Sequence, residues 1–201
     1  VACGAAHSLC LDKQGRVFSW GHTAGGRLGH SEPTGSYNKS DIRCGVTQIE
    51  CGEWEDFPVI AICAGNAHSV AMTSQGKVYS WGSGLHGRLG HGCHMDRHIP
   101  TLVKCLSHLG ARVKSISAGA AHTMFLDDSG LLMGCGLNSS GQVGVASAPM
   151  FVAVEEGDEE NSSPEVKTSK ELVSAVLYPL PVEGISAVAR IQCGPHFTVA
   201  R

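Results

Sequence analysis

Aromatic side chains are scarce in this chain, at 5% of 201 residues, and charged ones make up only 16%. With 42% of residues apolar, the composition is that of a globular protein able to bury a core. No apolar run is long enough to span a bilayer, and Val1-Ala2-Cys3-Gly4 lacks the charged-then-apolar order of a signal peptide, so no membrane role is expected. No C-x-x-C pair occurs, which removes zinc-knuckle and redox readings. The nine cysteines are scattered and odd in number, unlike a disulfide scaffold, and favour a reducing compartment, cytoplasmic or nuclear. A concentrated Lys/Arg stripe is also missing, so direct nucleic-acid binding is not expected. The net charge of −3 is set by Glu155, Glu156, Asp158, Glu159, Glu160 and Glu165, without which the balance is +3.

Glycine, by contrast, is abundant: 26 residues, about double the usual share, as suits short strands and tight turns. Much of it recurs at fixed offsets. Residues 1–30, VACGAAHSLCLDKQGRVFSWGHTAGGRLGH, align without a gap to residues 62–91, ICAGNAHSVAMTSQGKVYSWGSGLHGRLGH, and 15 of the 30 positions are identical. A third copy spans 116–145, ISAGAAHTMFLDDSGLLMGCGLNSSGQVGV, and a fourth begins at Ile191 as IQCGPHFTVAR. The starts lie 61, 54 and 75 residues apart, which makes each copy one supersecondary unit.

Each unit reads as antiparallel strands. A small and apolar stretch, Ile62 to Met72, precedes the turn Ser74-Gln75-Gly76 and the alternating strand Lys77 to Trp81; Asp12 to Trp20 and Asp127 to Cys135 repeat the turn and strand. Pro100 to Val103 and Tyr178 to Val182 read as third strands near an edge. Short runs at Val59 to Ile62, Val113 to Ile116 and Val188 to Ile191 read as fourth strands leading into the next copy. The expected fold is all-β, with β-propeller blades of four antiparallel strands, three units and the start of a fourth. The units are 1–61 with an insert at 31–58, 62–115, 116–190 with an acidic insert at 145–174, and 191–201.

The ordered motifs Cys/Ala-Gly-x-Ala-His-Ser/Thr, Gly-Lys/Arg-Val-Phe/Tyr-Ser-Trp-Gly and Gly-Arg-Leu-Gly-His resemble the repeat of the regulator of chromosome condensation family. The resemblance implies blades of a seven-bladed propeller. Three units cannot close such a ring, so the chain is expected to be part of a longer protein that supplies the remaining blades.

Gly4, His7, Gly65, His68, Gly119, His122, Trp20 and Trp81 occupy equivalent places, and Gly194 and His196 join them if the fourth copy has a one-residue deletion. Residues present once per unit answer a need of the unit, here a hydrogen bond holding a strand end. The Gly-x-x-x-x-Gly-Arg segments at 21–27 and 82–88 lack the Lys-Ser/Thr of a phosphate loop and read as turns. His91, Cys93, His94 and His98 do not match a zinc-finger spacing. No metal, cofactor or catalytic residue is expected. The cysteines at repeat positions, Cys3, Cys10, Cys63 and Cys193, read as small buried core residues. Cys135 replaces Trp20 and Trp81, and the lost ring is expected to be offset by Leu137 or Phe125.

Function is expected in the inserts. Glu53, Trp54, Glu55, Asp56 and Phe57 mix aromatic anchors with acids suited to a basic partner surface, although Trp54 serves equally well as a blade cap. The acidic insert, with Ser162-Ser163-Pro164, reads as a solvated loop that could accept phosphate. The resemblance implies a non-enzymatic protein-interaction scaffold, with a small GTPase or a ubiquitin-pathway protein as partner. Its alternative is guanine-nucleotide exchange on a Ran-type small GTPase. A light-sensing branch of the family uses Gly-Trp-Arg-His-Thr, where this chain has Gly119-Ala120-Ala121-His122-Thr123, so photoreception is disfavoured.

Overall fold

A computed structural model describes residues 1–31, 42–54, 57–146, 150–152 and 172–201. The first sheet holds β1 (Ala2–Cys3), β2 (His7–Leu11), β3 (Val17–His22) and β4 (Ile42–Gln48) in sequential order. The second repeats this with β5 (Val59–Ala64), β6 (His68–Thr73), β7 (Val78–Gly82) and β8 (Arg97–Leu102). A short helix, α1 (Lys104–His108), leads to the third sheet. There β9 (Val113–Ala118), β10 (His122–Asp127) and β11 (Leu132–Leu137) are extended by β13 (Leu172–Pro181), with β12 (Met150–Val152) on its outer edge. A two-stranded sheet, β14 (Ile191–Cys193) and β15 (Thr198–Ala200), ends the described chain.

All pairings are antiparallel and the register repeats: His7 faces Gly21, His68 faces Gly82 and His122 faces Gly136. These are the sheets of a β-propeller, as the repeat implies. One expectation changes. The apolar runs beginning at Val59 and Val113 do not end a unit; each opens the first strand of the following sheet, continuous with the small residues before the histidine. Val113 N donates to the Gly76 carbonyl at 3.3 Å, so the chain passes under one hairpin turn as it enters the next sheet.

The turns follow from their side chains. Asp12 Oδ1 accepts from Gln14 N and Arg16 N, both at 2.9 Å, and Asp127 Oδ1 accepts from Leu131 N at 2.8 Å, which closes the hairpins into the second of each strand pair.

The core lies between sheets. Leu9, Val17, Ile49, Trp54, Val59, Ala71, Tyr79 and Trp81 pack the first sheet on the second. Val70, Met72 and Val78 meet Met124, Phe125 and Met133 between the second and third. Because both its faces are covered, every residue of β6 and β7 is buried, whereas β2 and β3 alternate between buried and half-buried. Phe18 and Trp20 are therefore half-buried, while Trp81 is fully buried. Among the repeat cysteines the expectation of burial fails at Cys3, which is exposed at the edge of the first sheet, and is met only in part at Cys10, Cys63 and Cys193, which are half-buried.

Candidate functional site

The repeated polar residues meet where one sheet abuts the next. His7 Nε2 lies 2.9 Å from Ser69 Oγ, His68 Nε2 lies 2.9 Å from Thr123 Oγ1, and His122 Nε2 lies 3.1 Å from Thr198 Oγ1. Each hydroxyl also contacts a main-chain carbonyl of the preceding unit: Ser69 to Arg27 at 2.8 Å, Thr123 to Arg88 at 2.7 Å and Thr198 to Gln142 at 2.8 Å. A carbonyl can only accept, so the hydroxyl spends its one proton there, and each imidazole must donate from Nε2. The tautomer follows from the network. Nδ1 of all three rings is then a bare lone pair, and it finds no donor among the described residues.

Burial makes these rings weak bases. His7 is pushed down to about 4 by desolvation and, secondarily, by Arg27; His122 falls to about 4 by desolvation and the nearby His196. His68 is held well below its ordinary value, since burial combines with Arg88 and the flanking histidines. Glycine precedes each ring because a side chain would not fit: a Cβ on Gly4, Gly65 or Gly119 would collide with Cε1 of His7, His68 or His122.

Three further residues complete the joint. Trp81 Nε1 donates to the same Arg27 carbonyl at 3.1 Å, and its indole presses on Gly29, where an added Cβ would come within 2.8 Å of Nε1. Arg27 and Arg88 turn inward: Nε reaches the Ala24 carbonyl at 2.7 Å and the Leu85 carbonyl at 2.8 Å. Desolvation lowers both guanidinium groups, Arg88 to about 10, with Asp96 opposing the shift. Leu85–Gly87 and Ala24–Gly26 form single 3-10 turns, so the Gly-x-x-x-x-Gly-Arg segments offer inward arginines and no phosphate-binding helix.

A second pair ties the last histidine of the motif down. Ser19 Oγ donates to Leu28 O and contacts His30 Nε2 at 2.9 Å; Ser80 Oγ donates to Leu89 O and contacts His91 Nε2 at 3.0 Å. His91 is thereby committed, and burial holds it near 4. Among the described residues no three His, Cys, Asp or Glu side chains gather as a metal would require.

Two sequence-based placements change. The fourth copy has no deletion: Gly194 N donates to the Phe197 carbonyl at 2.9 Å just as Gly65 N does to His68, and Cys193 pairs with Thr198 as Ala64 pairs with Ser69. Phe197 therefore takes the histidine position, and His196 is an exposed residue at the alanine position before it. Trp54 is also not a free anchor. It is 8% exposed, with its ring edge-on to Tyr79 at 5.5 Å and Trp81 at 6.0 Å, so the interior uses it. Phe57 is half-buried beneath Lys77, whose Nζ sits 5.8 Å from the ring centre. The Glu53 side chain, Glu55 and Asp56 lie outside the described residues, as does most of the acidic insert.

What sequence reasoning missed were the partners of the histidines. Ser69, Thr123 and Thr198 were visible as a hydroxyl following the histidine position in each copy, but their reach into the neighbouring sheet is a property of the packing.

The joint is the repeat's own signature, and comparison with known proteins agrees. The regulator of chromosome condensation (RCC1) repeat matches residues 75–126 and, in a second description of the same repeat, residues 1–26, 59–88 and 113–142. The chain belongs to the RCC1-repeat family. This RCC1-repeat chain is 37% identical over 147 residues to the human E3 ubiquitin-protein ligase HERC2, covering 72% of itself but 3% of that protein. It is 34% identical to the Arabidopsis thaliana ultraviolet-B receptor UVR8 over 72% of itself and 31% of the receptor. The probable E3 ubiquitin-protein ligase HERC6 of Homo sapiens is 33% identical over 100% of the chain and 16% of the relative. Saccharomyces cerevisiae Prp20p, described with its binding to Gsp1p and histones, superposes with a TM-score of 0.75 at 19% identity, covering 99% of this chain and 42% of that one. The RCC1-repeat chain thus spans only a fraction of each of these proteins.

Proposed function

We propose that this chain is a non-enzymatic part of an RCC1-repeat propeller whose work is to bind other proteins. The observation that carries the reading is where the chemistry goes. The buried imidazoles His7, His68 and His122 and the half-buried His91 each have Nε2 engaged by a structural hydroxyl, and Arg27 and Arg88 are turned into main-chain carbonyls. The side chains that resemble catalytic groups hold sheets together, which leaves the loops between them to carry recognition. Relatives that are ubiquitin ligases and a propeller described with Gsp1p and histones support protein partners of the small-GTPase or ubiquitin-pathway kind.

The second reading, guanine-nucleotide exchange on a Ran-type GTPase, rests on the likeness to Prp20p. Exchange needs only tighter binding to the nucleotide-free form, without acid or base chemistry. Release of fluorescent GDP from such a GTPase, followed over a range of protein concentrations, separates the two. The scaffold reading expects the spontaneous rate throughout; saturable acceleration overturns it in favour of exchange.

A further inference from the structure

On the side of the histidine loops, main chain bridges two of the seams between sheets. Asn66 N donates to the Ala120 carbonyl at 3.2 Å, from the second sheet to the third, and Ala120 N donates to the Pro195 carbonyl at 3.0 Å, from the third sheet to β14 and β15. Asn66, Ala120 and Pro195 hold one repeat position, two residues before His68, His122 and Phe197. In the first two units an arginine reinforces this position. Arg27 Nη1 donates to the Asn66 carbonyl at 3.5 Å and Arg88 Nη1 to the Ala120 carbonyl at 3.4 Å, while Nε of each holds its own turn at the Ala24 or Leu85 carbonyl. One guanidinium thus ties the turn of one unit to the histidine loop of the next.

Gln142 takes the arginine's place in the third unit. The backbone around it is unchanged: Gly141 and Gly144 sit at φ 71° and 75°, as Gly87 and Gly90 sit at 73° and 75°, and Gly141 N donates to the Asn138 carbonyl as Gly87 N does to that of Gly84. The shorter side chain folds back. Gln142 is buried with Oε1 accepting from Ser140 N at 2.8 Å, so it serves its own turn, and among the described residues no side chain reaches the Pro195 carbonyl. Apolar packing does not replace the missing tie, since Ile191, Cys193 and Ala200, which β14 and β15 bring to the core cluster, are each only partly buried. Besides the main-chain bond, this seam keeps His122 on Thr198, Thr198 on the Gln142 carbonyl, and Cys193 N donating to Ser117 Oγ at 2.9 Å.

We propose that the seam between the third sheet and the β14–β15 sheet is a hinge, the joint at which the propeller opens while the seam at Arg88 stays closed. Gln142 sets the hinge, because it leaves the Pro195 loop without the cation that holds its counterpart at Ala120. Opening releases the Pro195 and Gln142 carbonyls and the Thr198 hydroxyl together, since Thr198 is shared between His122 and Gln142. Hydrogen bonds from an ionised donor are the stronger ones a fold gains or loses, so this one exchange is enough to set apart two otherwise matching seams.

Amide hydrogen exchange, read residue by residue by NMR and corrected for intrinsic rates, tests the hinge. The Ala120 and Cys193 amides cross it and are expected to exchange at least about tenfold faster than the Asn66 amide, with Met124 and Phe125 of β10 slower than all three. Q142R, which installs the residue of the other two units, is expected to slow Ala120 and Cys193 by about tenfold and to leave Asn66 unchanged. R88Q, the converse, is expected to speed Asn66 toward the Ala120 rate. The Q142R arm separates a hinge set at Gln142 from a sheet that is loose because it is small: in the second case exchange stays fast in Q142R and the proposal falls. It falls also if the wild type protects Ala120 and Cys193 as well as Asn66, if R88Q leaves Asn66 unchanged, or if seam and β10 amides exchange at one common rate, which makes every opening global. Should Q142R not fold, the wild-type and R88Q comparisons decide.

Discussion

Acid should unlock the joints between sheets. His7, His68 and His122 are at most 3% exposed, neutral, and donate from Nε2 into the adjacent sheet. A second proton would have to sit on Nδ1, which faces a glycine backbone and has no acceptor among the described residues. The folded state therefore resists protonation, whereas the unfolded chain takes up protons near 6.5. Unfolding binds protons between those two values, so stability is complete above about pH 6.5 and drains as the pH falls toward 4. For a group at 6.5 unfolded and about 4 folded, the loss on going from pH 7 to pH 5 is about 2 kcal/mol. His7 and His122 each contribute that, and His68, lowered by burial, acts in the same direction. The first two sum to roughly 4 kcal/mol if independent, a large share of the whole stability of many domains. Asp12 and Asp127, whose carboxyls are held below their usual range mainly by turn hydrogen bonds, act at lower pH and do not blur this window. Urea unfolding followed by tryptophan emission at pH 7, 6 and 5 measures the slope. His122→Gln should flatten it by about one proton. A midpoint that does not move between pH 7 and pH 5, or imidazole NMR signals titrating near 6.5 in the folded protein, would refute the reasoning.

Other substitutions test single contacts. Gly29→Ala should cost about 2 kcal/mol or more in urea unfolding, since φ is +77° and the new Cβ meets Trp81 Nε1, while Gly45→Ala, with open space around it, should stay within about 0.5 kcal/mol. Trp81→Phe gives up the Nε1 bond to Arg27 O and should lose about 1–2 kcal/mol, against about 3–5 for Trp81→Ala. His86→Gly should raise stability by roughly 1 kcal/mol by relieving the left-handed backbone, and a fall in melting temperature would count against the strain. Cys135→Trp, although it restores the residue of the other units, should destabilise by about 1–3 kcal/mol, because Pro179 and Cys135 already crowd Gly90 and Cys105 Sγ caps the Gly90 carbonyl at 3.5 Å.

The repeat made the sheets legible before any coordinates, because glycine, histidine and tryptophan recur at offsets that only a common unit explains. What it could not separate was a strand that closes one unit from a strand that opens the next: Val59 to Ile62 and Val113 to Ile116 are apolar in either role, and only their pairing with β6 and β10 decides. His196 misled for a different reason. A histidine near the right place outweighed an ungapped alignment, yet the backbone bond from Gly194 N to the Phe197 carbonyl keeps the spacing of the other copies. Trp54 lies in a segment without repeat, where sequence shows an aromatic among acids but not the neighbouring Tyr79 and Trp81 that claim its ring.

The third unit shows why the joint behaves as a set of coupled parts. Ser80, fully buried, and His91, half-buried, form a polar pair in the second unit, and their counterparts in the third are Gly134 and Val145. Losing one partner alone would strand a buried donor or acceptor at a cost of about 1–3 kcal/mol, whereas replacing both with apolar groups removes the demand. The space is taken over accordingly: Val143 and Met124 close on Gly134, and Val145 is buried in the same cluster. Asn138 then supplies the polar contacts of the turn, donating to the Val145 carbonyl at 2.9 Å and accepting from Val143 N at 3.0 Å. Departures from the repeat that come in compensating pairs, like this one, belong to packing.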